Sequence, residues 1–206
     1  MKKFELTSEF ITNFLGVKLF RIKALVEFGN IKAGELGGYV EKEKNLSQYG
    51  NAWVCGDARV YGNARVYGNA RVYGNARVYG NAEVCGDAEV YGNAEVCGDA
   101  RVYGNARVYG NAEVCGDAEV CGNAEVCGDA RVYGNADYAA AKGFGSCCRT
   151  TTFFRLKNGQ VGVKCGCFYG TLHEFREKVM QTHGESKKAK EYLMLADLME
   201  YRFSEE

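Results

Sequence analysis

The chain has 206 residues, 26 basic and 26 acidic side chains, and a formal charge of zero. That length holds one sizeable domain or one repeat array with two caps, and the neutral balance gives no overall pull toward nucleic acid or an anionic membrane. No run approaches the roughly 18 apolar residues of a membrane span. The residues after Met1-Lys2-Lys3 alternate polar and apolar and offer no signal-peptide core, so a reducing cytoplasm is the expected setting. Proline is absent where average usage near 5% would give roughly ten, which suits a chain built on uninterrupted strand pairing.

Residues 1–45 predict an N-terminal β cap. Lys3–Leu6 and Val17–Leu25 read as strands, with turn signals at Phe28-Gly29-Asn30 and Gly37-Gly38. Leu46 to Trp53 reads as a first, irregular hexad with two extra residues. From Val54 to Asp137 the sequence is fourteen hexads without an insertion: Val, Tyr or Cys, Gly, Asn or Asp, Ala, then Arg, Glu or once Asp. Self-similarity at a fixed short period marks a solenoid, here spanning 46–137. Each slot has a place in a triangular coil. In Arg65-Val66-Tyr67 the side chains alternate, so Val66 points in while its neighbours point out. Gly68-Asn69 turns the corner, and Ala70 is small enough to point inward beside it.

The charges set the number of hexads per coil, because opposite charges are favoured on neighbouring strands. At a separation of 18, eight of eleven pairs in the last slot are opposite, against five of thirteen at 6 and seven of twelve at 12. The exceptions are Arg59/Arg77, Glu95/Glu113 and Glu119/Asp137. Three hexads per coil and about five coils follow, an array roughly 22 Å long at ~4.8 Å per strand. The array carries a net charge of −5, against +2 for residues 1–45 and +3 for 138–206, a spread that reads as solubility.

Residues 138–206 predict a small α+β end segment, a β-hairpin plus two helices. Thr150–Lys157 and Gln160–Phe168 alternate around Asn158-Gly159, a strong hairpin signal. Thr171 and Glu174 have capping-box spacing, with Gly184 as the stop of the helix they open. A second helix covers Ser186–Phe203, with Tyr192, Leu193, Leu195, Leu198 and Met199 on or near one face.

Val66 and Ala70, and their equivalents throughout 54–137, have the spacing of the hexapeptide-repeat, left-handed β-helix proteins, which the array resembles. Left-handedness is implied by this resemblance and not by the periodicity. The run Glu27-Phe28-Gly29-Asn30-Ile31-Lys32-Ala33-Gly34-Glu35-Leu36-Gly37-Gly38-Tyr39-Val40, followed by Asn45-Leu46-Ser47, resembles the N-terminal segment of a bacterial and phage subgroup labelled as hexapeptide-repeat transferases. Thr151-Thr152-Phe153-Phe154, Cys165-Gly166-Cys167-Phe168 and Gly170-Thr171-Leu172 resemble the end segment of similar phage and prophage proteins. Fold alone does not give activity. Acyltransferases of this fold typically use a histidine base near the coils and bind acyl-CoA between subunits, whereas this array has neither a histidine nor an insertion. Its γ-class carbonic anhydrases need three metal-binding histidines, and only His173 and His183 exist, both outside the array. His173 is thus the single candidate base, in a first helical turn, and His183 reads as a cation near a helix C-terminus.

Cys165 and Cys167, two apart on a predicted strand, face one side, and Cys147 and Cys148 precede the paired strand. Together they form a conceivable four-thiolate zinc site, although the spacing fits neither familiar knuckle, and small apolar cysteines are expected. Of ten cysteines six lie in the outward array slot otherwise held by Tyr. Cys97 and Cys115 stack one coil apart, but a bridge between neighbouring parallel strands is expected to be strained, so free thiols are expected. Tyr73-Tyr91-Tyr109 and Tyr61-Tyr79 form outward ladders and are the candidate partner surface. The Arg residues alternate with Glu, which disfavours nucleic acid. The expectation is a non-enzymatic scaffold or protein-binding protein without a cofactor, with a homotrimer implied by the resemblance. The alternative is an acyltransferase using acyl-CoA.

Overall fold

The computed structural model describes residues 1–145 and 149–204. Fourteen two-residue strands, β4 (Trp53–Val54) to β17 (Arg131–Val132), recur at every sixth residue. Every third strand returns to the same parallel sheet, so three hexads close one coil; β5, β8, β11, β14 and β17 make one column. The three sides are named here by one valine each: the Val60, Val66 and Val72 faces. Val66, Val84 and Val102 pair in register in successive coils. From Ala52 to Val132 the valines and alanines are excluded from solvent and form one continuous core. This is a β-solenoid of about five stacked coils, with a β-rich N-terminus and a short helical segment at its end.

The corners explain the Gly-Asn step. Gly98 has φ +67°, and a Cβ there would lie 2.9 Å from Gly116 N and 3.0 Å from Gly116 O. Glycine is therefore required twice, by its own backbone and by the coil stacked on it. Outside the corners the amides form ladders. Asn75 Nδ2 donates to Asn93 Oδ1 at 3.2 Å, and Asn93 to Asn111 at 3.2 Å. A carboxylate accepts but cannot donate, so Asp87, Asp99 and Asp129 each end such a run.

The N-terminal cap has three strands, β1 (Phe4–Thr12), β2 (Lys18–Ala24) and β3 (Leu36–Val40). The strand expected at Lys3–Leu6 continues to Thr12, because it pairs with β2 around a turn at Asn13–Gly16. The Phe28-Gly29-Asn30 turn forms, with Phe28 and Ile31 exchanging backbone hydrogen bonds of 3.1 and 2.9 Å. Gly37-Gly38, expected as a turn, instead lies inside β3. A Cβ on Gly37 would meet Val54 O at 2.6 Å and Trp53 Cζ2 at 2.7 Å, so glycine here permits close approach. Strand β3 then pairs parallel with β5, fusing the cap to the Val60 face. Leu46 bridges Val66, the place an unbroken period of 18 would give to Gln48, which is the effect of the two extra residues.

Array N–H groups donate to carbonyls of the following coil, as in Arg59 N to Ala76 O at 2.9 Å. The corner carbonyls of the first coil therefore need donors from elsewhere. Ala52 O accepts from Lys3 Nζ at 2.8 Å, Ala58 O from Tyr39 N at 2.9 Å, and Ala64 O from Asn45 Nδ2 at 2.8 Å. Asn45 also reaches Gly62 O at 3.2 Å and is fully buried. Replacing it by Leu strips both carbonyls, and we expect a loss of about 2–3 kcal/mol in urea unfolding. Asn45→Asp, which cannot donate, should fare no better.

Past Val132 the repeat letters continue but the shape does not. Gly134 is extended at φ −163°, Asn135–Asp137 form a 3-10 turn, and Ala136 is exposed. Asp137 is drawn instead to Arg155, 3.4 Å away. Four antiparallel strands follow, β18 (Tyr138–Phe144), β19 (Arg149–Arg155), β20 (Val161–Cys165) and β21 (Phe168–Thr171), then helices α1 (Leu172–His183) and α2 (Lys187–Phe203). The expected hairpin is thus the central β19–β20 pair of a four-stranded sheet. The Ala139-Ala140-Ala141 run of β18 carries no β-branched or aromatic signal, and β21 is only four residues long. Strand β19 lies across the open end of the array. Phe154 joins the solenoid core while Phe153 packs against the helices, edge-on to Phe175 at 6.3 Å. The capping box forms as expected, with Thr171 N donating to Glu174 Oε2 at 2.7 Å and Gly184 ending α1. On α2 the buried side is Tyr192, Leu195, Ala196, Met199 and Phe203, while Leu198 is exposed. Among the described residues, no helix is long and apolar enough to cross a membrane.

Candidate functional site

The outward slots build the surfaces on which a partner would meet the array. Because coils stack in register, tyrosines 18 apart become parallel rings. Tyr73 and Tyr91 lie 4.7 Å apart and 3° from coplanar, Tyr91 and Tyr109 4.9 Å and 2°, and Tyr61 and Tyr79 5.1 Å and 2°. Three of the ladder hydroxyls, and those of Tyr67 and Tyr103, also reach one coil onward to a glutamate. Tyr67 donates to Glu83 at 3.0 Å, Tyr73 to Glu89 at 3.3 Å, Tyr79 to Glu95 at 3.0 Å, Tyr103 to Glu119 at 3.3 Å and Tyr109 to Glu125 at 3.1 Å. This diagonal at sixteen residues was legible in the sequence as Tyr followed by Glu at that spacing, yet a search for stacked partners at 18 passes over it. The same glutamates meet arginines on adjacent strands, among them Arg77–Glu95 at 2.5 Å, Arg101–Glu119 at 3.5 Å and Arg107–Glu89 at 3.7 Å. These pairs are half exposed and contribute little each.

The rings are not an open aromatic patch. Tyr61, a candidate contact residue, is only 6% exposed because the N-terminal cap covers it, with Leu19 of β2 and Tyr39 of β3 packed against it and Ile11 and Val17 of the β1–β2 hairpin alongside. Tyr79 is half-buried beside the same cluster. Tyr73, Tyr91 and Tyr109, on the Val72 face, are half-buried and remain as a continuous row. Burial, together with the charge of Glu89, pushes the Tyr73 hydroxyl up to about 12. Burial and the hydrogen bond to Glu95 do the same for Tyr79. Under the first coil, burial pushes the Lys3 ammonium down to about 8.

These shifts predict a stability maximum in mild alkali. Between about 8 and 10.5 the unfolded chain holds the Lys3 proton and the folded chain does not, so stability rises with pH there. Above 10 the ladder tyrosines stay protonated only when folded, so stability falls through about 12. Unfolding followed by circular dichroism should show the rise lost in Lys3→Met and the fall retained. The ladder tyrosines' share of the tyrosinate absorbance should appear together with unfolding and not ahead of it.

Cys97 and Cys115 are joined by a disulfide, which corrects the expectation of free thiols. In-register rungs bring their Cα atoms to 4.6 Å, inside the span that a bridge requires. The bridge stitches two coils where Glu95 faces Glu113 across the strands, one of the like-charged exceptions noted above. Closing an 18-residue loop contributes about 3 kcal/mol on the chain-entropy account, so Cys97→Ser, or reduction, should lower stability by about that amount in guanidinium titrations. Cys55, Cys85, Cys121 and Cys127 are free.

The other candidate residues lie in the end segment. His173 is in the first turn of α1, 83% exposed, with Nε2 3.5 Å from Glu177. His183 closes α1 and stacks on Tyr192 at 5.8 Å. Cys165 and Cys167 do not share a strand as expected: β20 ends at Cys165, and Gly166-Cys167 is a turn with Gly166 at φ +59°. Cys165 is half-buried and accepts from Thr151 Oγ1 at 3.2 Å, while Cys167 is exposed. Cys147 and Cys148 lie outside the described residues. Among the described residues, no group of three or more His, Cys, Asp or Glu side chains is placed to hold a metal.

A family model described as YdcK Beta solenoid repeat matches residues 52–68, 58–71, 70–86 and 100–116. The chain is a β-solenoid repeat protein. The matched residues all lie in the solenoid, where they span corners and strands of all three faces. No curated protein matches the chain.

Proposed function

We propose that the solenoid is a non-enzymatic scaffold that binds a protein partner along its Val72 face. The observation that carries this is the row Tyr73–Tyr91–Tyr109, held parallel at 4.7 and 4.9 Å by coils that cannot slide. Aromatic anchors fixed before binding lose little conformational entropy on contact, and Arg71, Glu89, Arg107 and Glu125 flank them with alternating charge. The resemblance to phage and prophage proteins supports a host cytoplasmic protein as the partner, and the resemblance to hexapeptide-repeat β-helix proteins supports a trimer of this chain as the binding unit.

The test is a cross-linked pull-down from host lysate with three baits: wild type, a Tyr73→Ser/Tyr91→Ser/Tyr109→Ser variant, and a Tyr67→Ser/Tyr103→Ser variant of the Val66 face. A protein retained by the first and third but lost from the second supports the reading. Equal retention by all three contradicts it. Calorimetry with CoA and acetyl-CoA should give no binding heat; tight binding abolished by His173→Ala would replace the scaffold by an acyltransferase.

A further inference from the structure

Outside the solenoid, the end segment holds a cleft of about 270 Å³ between the β20–β21 turn and the two helices. Its floor is aromatic. Phe168 and Phe175 are 5.5 Å apart, Phe175 stands edge-on to Tyr192 at 5.7 Å, and His183 stacks on Tyr192. Helix α1 supplies Phe175, Lys178, Val179, Thr182 and His183, the spacing of one helix face. That face is apolar at Phe175 and Val179 and turns polar at Thr182 and His183, toward the end of the helix. Arg149, at the start of β19, completes the rim. Among the described residues, Arg149 and Lys178 form no salt bridge and no carboxylate lines the cleft. Two cations above an apolar, ring-lined floor form a site of one chemical preference.

We propose that this cleft binds a small amphipathic monoanion, an aryl carboxylate with the ring on Phe168, Phe175 and Tyr192 and the carboxylate between Arg149 and Lys178. The volume sits just below the usual range for ligand pockets and admits one ring with a short acidic arm. Guanidinium and ammonium donors give the carboxylate charge-assisted hydrogen bonds that a neutral analogue does not make.

The experiment is calorimetry on the full chain with phenylacetate and with 2-phenylethanol, its neutral counterpart. Phenylacetate should bind saturably at one site and 2-phenylethanol about tenfold or more weakly. Arg149→Gln and Lys178→Gln, both at exposed positions, should each weaken phenylacetate about tenfold while leaving the far-ultraviolet circular dichroism unchanged. Thr182→Trp, also exposed, should close the mouth and abolish binding. Equal affinity for the neutral probe, binding that survives Thr182→Trp, or no saturable binding of either probe would each overturn the proposal. All of these readouts are independent of the Val72 face.

Discussion

Val90→Asp is expected to abolish the folded state. Val90 is fully buried, pairs with Val72 below and Val108 above, and belongs to the single core that runs the length of the array. A carboxylate there loses its hydration with no donor in reach, a cost of several kcal/mol even after relaxation, and the apolar contribution of roughly 1.5–3 kcal/mol from the valine is lost as well. Repeat stability is a sum of coil terms and nearest-neighbour interfaces, and a central rung damages two interfaces at once. Far-ultraviolet circular dichroism and proteolysis should report an unfolded chain. Val90→Ala, which leaves only a cavity, should remain folded and lose about 2–3 kcal/mol in urea. A folded, cooperative Val90→Asp would mean that the valines do not form the common interior described above.

Gly98→Ala and Gly122→Ala are expected to differ sharply although the two glycines have almost the same backbone. Their φ values are +67° and +69°, so both alanines carry the left-handed penalty of about 1–2 kcal/mol. At Gly98 the added methyl would also lie 2.9 Å from the backbone of the next coil, whereas at Gly122 nothing lies within 4 Å because the regular coils stop above it. Backbone cannot move aside as a side chain can, and the overpacking adds about 1–3 kcal/mol. Gly98→Ala should therefore lose about 3–4 kcal/mol in urea and Gly122→Ala no more than half of that. Equal losses would show that only the backbone conformation, and not the stacking of corners, demands glycine.

The period was written in the letters, and so was most of the array. A valine, a glycine and an alanine recurring every six residues admit one inward arrangement, and alternating Arg and Glu at 18 set three hexads to a coil, as Arg65 facing Glu83 and Arg101 facing Glu119 now demonstrate. The capping box at Thr171 and the hairpin at Asn158-Gly159 were equally local, because each depends on residues within a few positions of one another. Where the reading fell short, the deciding neighbour was distant in sequence. Gly37 looks like a turn until Trp53 and Val54 are seen against it. Tyr61 reads as outward, and is outward from its own coil, but the N-terminal cap carrying Leu19 covers it. Cys97 and Cys115 were aligned by the repeat, yet only the 4.6 Å separation of their Cα atoms made the bridge.

Sequence alone thus determined the coil, its three sides and its valine–alanine interior, because those follow from short-range periodicity and in-register stacking. Tertiary structure decided which tyrosines stay uncovered, how Lys3, Tyr39 and Asn45 close the first coil, where the last hexad stops being a coil, and that an aromatic cleft opens beside α1. Each of those depends on a segment folding back from outside the repeat, and a contact of that kind has no period to announce it.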